Sequence, residues 1–272
     1  MAKPSPARRA ESPHPLAGQH ALVTGGGTGI GAAIARELAH LGAMLTLVGR
    51  RAKPLAETCE ALAAEFGAGC AHQLADVTDP EMVARALLAA ADHSGPIHIL
   101  VNNAGAAESA PFLKTDLALF ERMLSVNLRS AFLCSQAALP TMLRAGSGRI
   151  VNIASTAGLT GYAYVAAYCA AKHGLVGLTR ALAREHARSG ITINAVCPGY
   201  TETALFAAAV DTIVAKTQRN REEAESQLIA GNPMGRIIQP DEVAATVGWL
   251  CMPGAGAVTG QAIVVAGGEI MA

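Results

Sequence analysis

His20-Ala-Leu-Val-Thr24-Gly25-Gly26-Gly27-Thr28-Gly29-Ile30-Gly31-Ala-Ala-Ile34-Ala-Arg-Glu-Leu38-Ala-His-Leu41 decides the fold of this chain. It opens as a short, mostly apolar run suited to a buried strand. It closes as a helix whose Ile30, Ile34, Leu38 and Leu41 recur at helical spacing. Between the two lies a glycine-rich turn. Such a turn lets the backbone approach a pyrophosphate, and the helix behind it presents free N–H groups and a positive dipole end. A literal G-x-G-x-x-A match exists at Gly27, Gly29 and Ala32, but that pattern is weak alone. The better description is T-G-x-x-x-G-x-G, with Thr24, Gly25, Gly29 and Gly31 fixed and Thr28 and Ile30 inside it. The competing reading is a tight turn with no ligand.

Working outward, the same alternation recurs. Strands are expected at His20–Thr24, Met44–Val48, Ala71–Ala75, Ile97–Val101, Arg149–Ile153, Ile191–Val196 and Ala262–Val265. Helices are expected at Ile30–Leu41, Lys53–Phe66, Pro80–His93, Leu117–Arg144, Tyr168–Ser189 and Asp241–Cys251. Seven apolar strands alternating with helices predict a parallel α/β sheet covered on both faces. No repeat, linker or second domain is evident. Residues 204–232 are helical in pattern and read as an insertion over the sheet edge. Residues 1–17, with Pro4, Pro6, Pro13 and Pro15 and no apolar core segment, read as a disordered leader and not a secretory signal, which leaves 18–272 as one domain.

Composition narrows the function. The 272 residues are 51% hydrophobic and only 15% charged, which excludes a disordered, solvating chain. Lys+Arg and Asp+Glu are 21 each, so the basic excess of a nucleic-acid or acidic-membrane binder is missing. The uncharged stretches Ile150–Ala171 and Val243–Gly268 are broken by Gly, Pro or polar residues, so no transmembrane helix is expected. The six cysteines show no C-x-x-C spacing and no accompanying His cluster. A disulfide framework or metal site is therefore not expected, and a reducing, cytoplasmic compartment fits.

The second strand ends Leu47-Val48-Gly49-Arg50-Arg51. An acid at this strand end would accept hydrogen bonds from ribose hydroxyls; here Gly49 replaces it, and Arg50 and Arg51 could meet a 2′-phosphate. NADP(H) is therefore preferred, with NAD(H) still admissible. The bland alternative is two solvated turn arginines. Asp76-Val77 after the third strand suits an adenine-side contact, although Asp76 could equally be an N-cap before Pro80. Asn102-Asn103-Ala104-Gly105 is a small-residue turn that would keep the fourth strand's end open beside the cofactor.

Tyr168 and Lys172 are four residues apart and share a helix face. A phenol with a pKa near ~10 is a poor base, and a neighbouring ammonium favours its phenolate. Ser155, at the end of the fifth strand, could hold a substrate carbonyl oxygen opposite the phenol. Alone, a Tyr and Lys at this spacing is usually a chance pair; the glycine loop upstream gives it meaning. Tyr162 and Tyr164 are rival tyrosines, but neither has a lysine four residues on.

Taken in order, Thr24-Gly25-x3-Gly29-x-Gly31, Asn102-Asn103-Ala104-Gly105, Asn127, Ser155, Tyr168-x3-Lys172 and Pro198-Gly199-x3-Thr203 resemble the short-chain dehydrogenase/reductase family from Gly18 to the C-terminus. The resemblance implies a doubly wound Rossmann-type domain with strand order 3-2-1-4-5-6-7 and hydride transfer with a nicotinamide cofactor. It implies that Tyr168 is the proton donor or acceptor, that Lys172 lowers its pKa and contacts the nicotinamide ribose, and that Ser155 polarises the carbonyl. Asn127 would help hold a water relaying protons to Lys172, and Pro198, Gly199, Thr201 and Thr203 would border the nicotinamide. No metal is implied.

The runs Gly148–Thr156, Asn194–Gly199 and Gly235–Pro240 resemble β-ketoacyl reductases of the polyketide and 3-hydroxyacyl-CoA type. This implies a 3-oxoacyl or 3-hydroxyacyl thioester substrate. Free cyclic, steroid or sugar-derived ketones form the alternative, and a non-catalytic cofactor-binding scaffold is the reading from another class. Residues 204–232 would then be a mobile substrate lid, with Lys216, Arg219 and Arg221 near the phosphates of a CoA or carrier arm or merely solvated. Ala266 stands where the family often has Asp. The resemblance further implies a homotetramer, its dimers built on the helices of Asn127 and Tyr168, with the C-terminal tail from Glu269 packed at an interface.

Overall fold

The computed structural model describes residues 14–271. These form seven strands, β1 (His20–Thr24), β2 (Met44–Gly49), β3 (Cys70–Leu74), β4 (Ile99–Asn102), β5 (Gly148–Ile153), β6 (Ile191–Pro198) and β7 (Ala262–Val265). They pair in parallel throughout, in the order β3-β2-β1-β4-β5-β6-β7. The order reverses between β1 and β4, which opens a crevice at the carboxyl ends of those strands, where such sheets bind ligands.

The helices are α1 (Gly29–His40), α2 (Ala52–Phe66), α3 (Pro80–Ser94), α4 (Leu117–Leu124), α5 (Ser130–Ala145), α6 (Ala166–Glu185), α7 (Ala204–Lys216), α8 (Arg221–Ile229) and α9 (Pro240–Cys251). On one face of the sheet, Ile34 and Leu38 of α1 pack with Val243 and Val247 of α9 over Val23, Val101 and Val151. On the other, α3 and α5 pack Leu87 and Met142 over Leu22, Leu100 and Ile150. Burial of each such side chain contributes about 1.5 to 3 kcal/mol, so these two layers hold the crevice rigid.

Four expectations are corrected. The single helix over Leu117–Arg144 is split: Ser125–Arg129 between α4 and α5 is a wide π-turn, and Asn127 lies inside it. Apolar periodicity continues through such a turn, so the pattern does not show it. Second, the leader does not run to residue 17. Leu16 is buried, and its N–H donates to the Leu41 carbonyl at 2.9 Å, so packing begins before Gly18; residues 1–13 lie outside the described residues. Third, Cys59 of α2 and Cys70 of β3 form a disulfide, with Cα atoms 5.1 Å apart. Their eleven-residue separation matches no motif; the pairing arises because α2 folds back onto the edge strand. Fourth, that edge strand is not fully covered: Leu74 is more than half exposed.

Candidate active site

β1 delivers the chain to the crevice at Thr24, which is buried and serves as a clamp. Its Oγ1 accepts from the N–H groups of Asn103 (2.9 Å) and Ala104 (3.0 Å), and the Asn103 amide donates to the Thr24 carbonyl at 2.9 Å. The turn after β4 is thereby fastened to the glycine turn after β1. Gly25 and Gly29 adopt positive φ (+67° and +55°). At Gly31 a Cβ would sit 2.2 Å from the Gly25 carbonyl oxygen, so any side chain would close the loop's tight approach. Thr28 is the N-cap of α1, yet its side chain caps nothing and the first turn carries no acid. The N–H groups there are left for an anion, and the cradle fits a dinucleotide pyrophosphate.

A cleft of about 590 Å³ runs from this loop. Gly25, Thr28, Gly29, Ile30, Gly31, Arg50, Arg51, Asp76, Val77, Asn103, Ala104, Gly105, Asn127, Ser155, Tyr168, Lys172, Pro198 and Thr203 all line it. Three expected cofactor residues do not. Thr24 stands behind the loop, and Gly199 and Thr201 open instead onto a neighbouring cavity of about 560 Å³. Arg50 is exposed, its guanidinium 4.0 Å from Asp76. Asp76 accepts from the N–H and hydroxyl of Thr78 (2.9 and 2.8 Å), bonds that hold its carboxyl below the usual range. It is not the N-cap of α3; Asp79 is, accepting from Glu81 and Met82.

The two cavities meet at Ser155 and Tyr168. Ser155 lies two residues beyond β5 and caps the following turn by accepting from Ala157 N–H at 3.1 Å. Tyr168 and Lys172 sit one turn apart on α6. The Lys172 ammonium is buried, donates to the Ile153 carbonyl at 2.8 Å and lies 5.6 Å from the Tyr168 ring centre. Burial pushes the Tyr168 phenol up to about 12, opposed by its hydrogen bond with Ser155, and pushes Lys172 down to about 8. The expected lowering of the phenol is therefore not a property of the bare site: desolvation outweighs a cation whose hydrogen bond goes to a carbonyl. Asn127, buried in the π-turn, donates to the carbonyls of Ala106 (2.8 Å) and Met123 (3.0 Å), and its Oδ1 accepts from Ala106 N–H at 3.2 Å. A Cβ built on Gly105 would lie 2.8 Å from Asn127 Oδ1 and 3.7 Å from Lys172 Nζ, so the two side chains flank one small space.

The second cavity is walled by Thr156, Tyr162 and Tyr200 on one side and by Leu205, Phe206, Thr212 and Lys216 of α7 on the other. Thr203, the α7 N-cap, lines both cavities. Of the basic residues expected there, Arg221 is committed elsewhere, paired with Asp211 at 2.8 Å and Glu225 at 3.1 Å. Sequence reading misses the wall formed by Thr156 and Tyr162, and the Glu269 carboxylate that accepts from the Tyr162 hydroxyl. A lysine four residues on is a test for proton donors, and it is blind to a wall residue such as Tyr162.

A glycine-lined cleft at the crevice of an all-parallel sheet, meeting a Ser, Tyr and Lys group, defines a nicotinamide-dependent oxidoreductase. The model of the short chain dehydrogenase family matches residues 19–213, and the chain belongs to that family, whose members bind NAD(P). It is similar to ketoacyl reductase 1 of the granaticin polyketide synthase of Streptomyces violaceoruber, with 42% identity over 91% of this chain and 92% of that one. It is similar to the acetoacetyl-CoA reductase of Allochromatium vinosum, with 39% identity over 92% and 98% of the two chains. Among solved structures it resembles a single-residue variant of the actinorhodin polyketide ketoreductase with NADPH, at a TM-score of 0.89 and 40% identity over 92% and 97%. The protein is an enzyme interconverting ketone and secondary alcohol groups. Among the described residues no cluster could hold a metal ion, and no helix is long and apolar enough to cross a membrane.

Proposed function

We propose that the protein is an NADP(H)-preferring reductase of 3-oxoacyl thioesters, working on the 3-hydroxyacyl thioester in reverse. The observation that carries this is the meeting of the two cavities at Tyr168, one lined by the glycine loop and Arg50, the other by α7. Gly49 leaves the end of β2 without a carboxylate, and Arg50 and Arg51 stand at the cleft mouth, which favours a 2′-phosphate. Relatives and a neighbour named for ketoacyl substrates, acetoacetyl-CoA and NADPH support the substrate class and cofactor.

When bound, the nicotinamide supplies or receives the hydride. Ser155 holds the carbonyl oxygen, and Tyr168 gives that oxygen its proton in reduction and takes it back in oxidation. Lys172 supplies the positive charge that eases proton loss from Tyr168. Asn127 keeps the π-turn open, and a water in the space over Gly105 would bridge it to Lys172 and restore the proton. Residues 204–232 act as the substrate lid, with Lys216 at the cavity wall. The exposed Phe120 and Phe132 on α4 and α5 support assembly into a homotetramer. Residues 18–272 make one catalytic domain, extended by the packing of Leu16.

The test is consumption of NADPH, followed by absorbance, with acetoacetyl-CoA against cyclohexanone. A kcat/KM at least tenfold higher for the thioester is expected; a higher value for the free ketone refutes the substrate class.

A further inference from the structure

Glu269, three residues beyond the buried Ala266, is a half-buried carboxylate that makes no ion pair with any cation of the described residues. Its side chain instead lies where three segments converge. A Cβ on Gly199 would sit 2.8 Å from Glu269 Oε2, and one on Gly231 would sit 3.7 Å from Oε1. Oε1 accepts from the Tyr162 hydroxyl at 2.5 Å, and that hydroxyl is 2.9 Å from Thr156 Oγ1. A partly desolvated carboxylate without a cation depends on its hydrogen bonds, and the one from Tyr162 is charge-assisted.

Proton accounting fixes the direction of this chain. Tyr162 has one hydroxyl proton and the carboxylate has none. The carboxylate takes the phenolic proton, so the Thr156 hydroxyl donates to the Tyr162 oxygen. Thr156 Oγ1 is then left with lone pairs and no proton to offer. Thr156 and Tyr162 line the substrate cavity beside Ser155 and Tyr168. Thr156 and Tyr162, next to the carbonyl-holding serine, therefore offer acceptors and no donor, while Tyr200 farther along the same wall keeps its own hydroxyl.

We propose that Tyr162 and Glu269 form a specificity-determining pair that selects ketones carrying a second group able to donate a hydrogen bond, a hydroxyl above all. This rests on the reading that ketones bind at Tyr168, and it adds to that reading a preference, among oxo compounds including acyl thioesters, for those that also carry a hydroxyl or enol. A plain ketone gains nothing from this pair. Neither residue touches the reacting atoms; they act on which substrate is held.

The experiment measures binding and turnover separately. Cyclohexanone, 3-hydroxy-3-methylcyclohexanone and 4-hydroxy-4-methylcyclohexanone, whose tertiary alcohols carry no hydride to give, are titrated calorimetrically into the full-length protein loaded with NADP⁺, a combination that cannot react. The parent is expected to bind at least one hydroxyketone about tenfold more tightly than cyclohexanone, the worth of one good hydrogen bond. Tyr162→Phe and Glu269→Gln should bring that ratio to within twofold of one, the loss falling on the hydroxyketones more than on cyclohexanone. A parent that binds all three equally overturns the proposal, as do variants that weaken all three alike. Variants that keep the binding ratio overturn it too, whereas a parent that shows the ratio yet turns over no ketone with NADPH would instead count against the reading that ketones react at Tyr168. Thermal melts of the variants identify any that are misfolded, and Glu269→Asp, which keeps the carboxylate, should retain part of the preference.

Discussion

The Lys172 ammonium stands 5.6 Å from the centre of the Tyr168 ring while spending a hydrogen bond on the Ile153 carbonyl 2.8 Å away. The lysine is thus held in place by the end of β5, the same strand that delivers Ser155. Any charge it lends to the phenol acts through space. Oxidation of an alcohol needs the phenolate, so its rate rises with pH; reduction needs the phenol, so its rate falls at high pH. Removing the cation makes the phenolate harder to form. Lys172→Met should therefore move the rising limb of alcohol oxidation upward by about one pH unit or more, equal to roughly tenfold in rate at a fixed pH below it. Tyr168→Phe should abolish turnover in both directions with NADPH binding, followed by fluorescence, unchanged. A limb that stays in place in the lysine variant removes Lys172 from this role.

Cofactor choice turns on Gly49 and Arg50. A Cβ at Gly49 would meet only Leu55, at an ordinary 3.6 Å, so a side chain can be built there without moving the loop. Gly49→Asp places a carboxylate where ribose hydroxyls would lie and where a 2′-phosphate would be repelled. The ratio of kcat/KM for NADPH over NADH should fall at least tenfold, or about 1.4 kcal/mol. Arg50→Ala should lower the same ratio by acting on KM for NADPH alone. A parent enzyme that prefers NADH would refute the arginine argument outright.

The sheet was legible because each strand is a short apolar run between turn residues, and the ends of β1 and β7 agree with the pattern to the residue. The cleft was legible too, since Gly25, Gly29, Gly31, Ser155, Tyr168 and Lys172 carry local signals of spacing and type. What stayed hidden depends on contacts remote in sequence. Tyr162 and Glu269 are 107 residues apart, and no periodicity links a C-terminal carboxylate to a loop phenol. The π-turn at Asn127 keeps the hydrophobic stripe of a regular helix. Leu16 follows a proline-rich segment whose composition masks a single buried anchor.

The Cys59–Cys70 disulfide gives a direct chemical prediction. Cys134, Cys169, Cys197 and Cys251 are free and buried. Alkylation after denaturation without reductant should label four cysteines, and all six once reductant is added. Closing so short a loop contributes about 3 kcal/mol in the chain-entropy account. Reduction, or Cys59→Ser, should lower the denaturation midpoint accordingly. Because α2 also carries Pro54 and Leu55 of the cofactor cleft, the KM for NADPH is the second quantity to follow. Six labelled cysteines without reductant would show that the bond is absent in solution.

His20, fully buried at the start of β1, predicts how the fold responds to acid. Its Nδ1 faces the Gly95 carbonyl at 2.8 Å and its Nε2 faces the Thr46 hydroxyl at 2.9 Å, while its backbone N–H donates to His98 Nδ1 at 3.0 Å. A neutral ring satisfies this set: one nitrogen donates to Gly95 and the other accepts from Thr46. Burial holds the His20 pKa below its ordinary 6.5, opposed by the Gly95 carbonyl and reinforced by His98 and His93 nearby. His98 is lowered by burial as well. With the folded pKa below the unfolded one, the unfolded chain binds the proton first as pH falls. The contribution to stability is thus complete above 6.5 and is lost as pH drops through that value toward the folded pKa. Urea denaturation between pH 8 and about 5 should show a midpoint that is flat at the alkaline end and falls below the ordinary histidine range. His20→Gln, which keeps a donor and an acceptor but cannot be protonated, should lower the midpoint at pH 8 yet flatten the acid slope. An acid slope equal to the parent's in that variant would show that other groups, not this buried imidazole, set the acid limit of the fold.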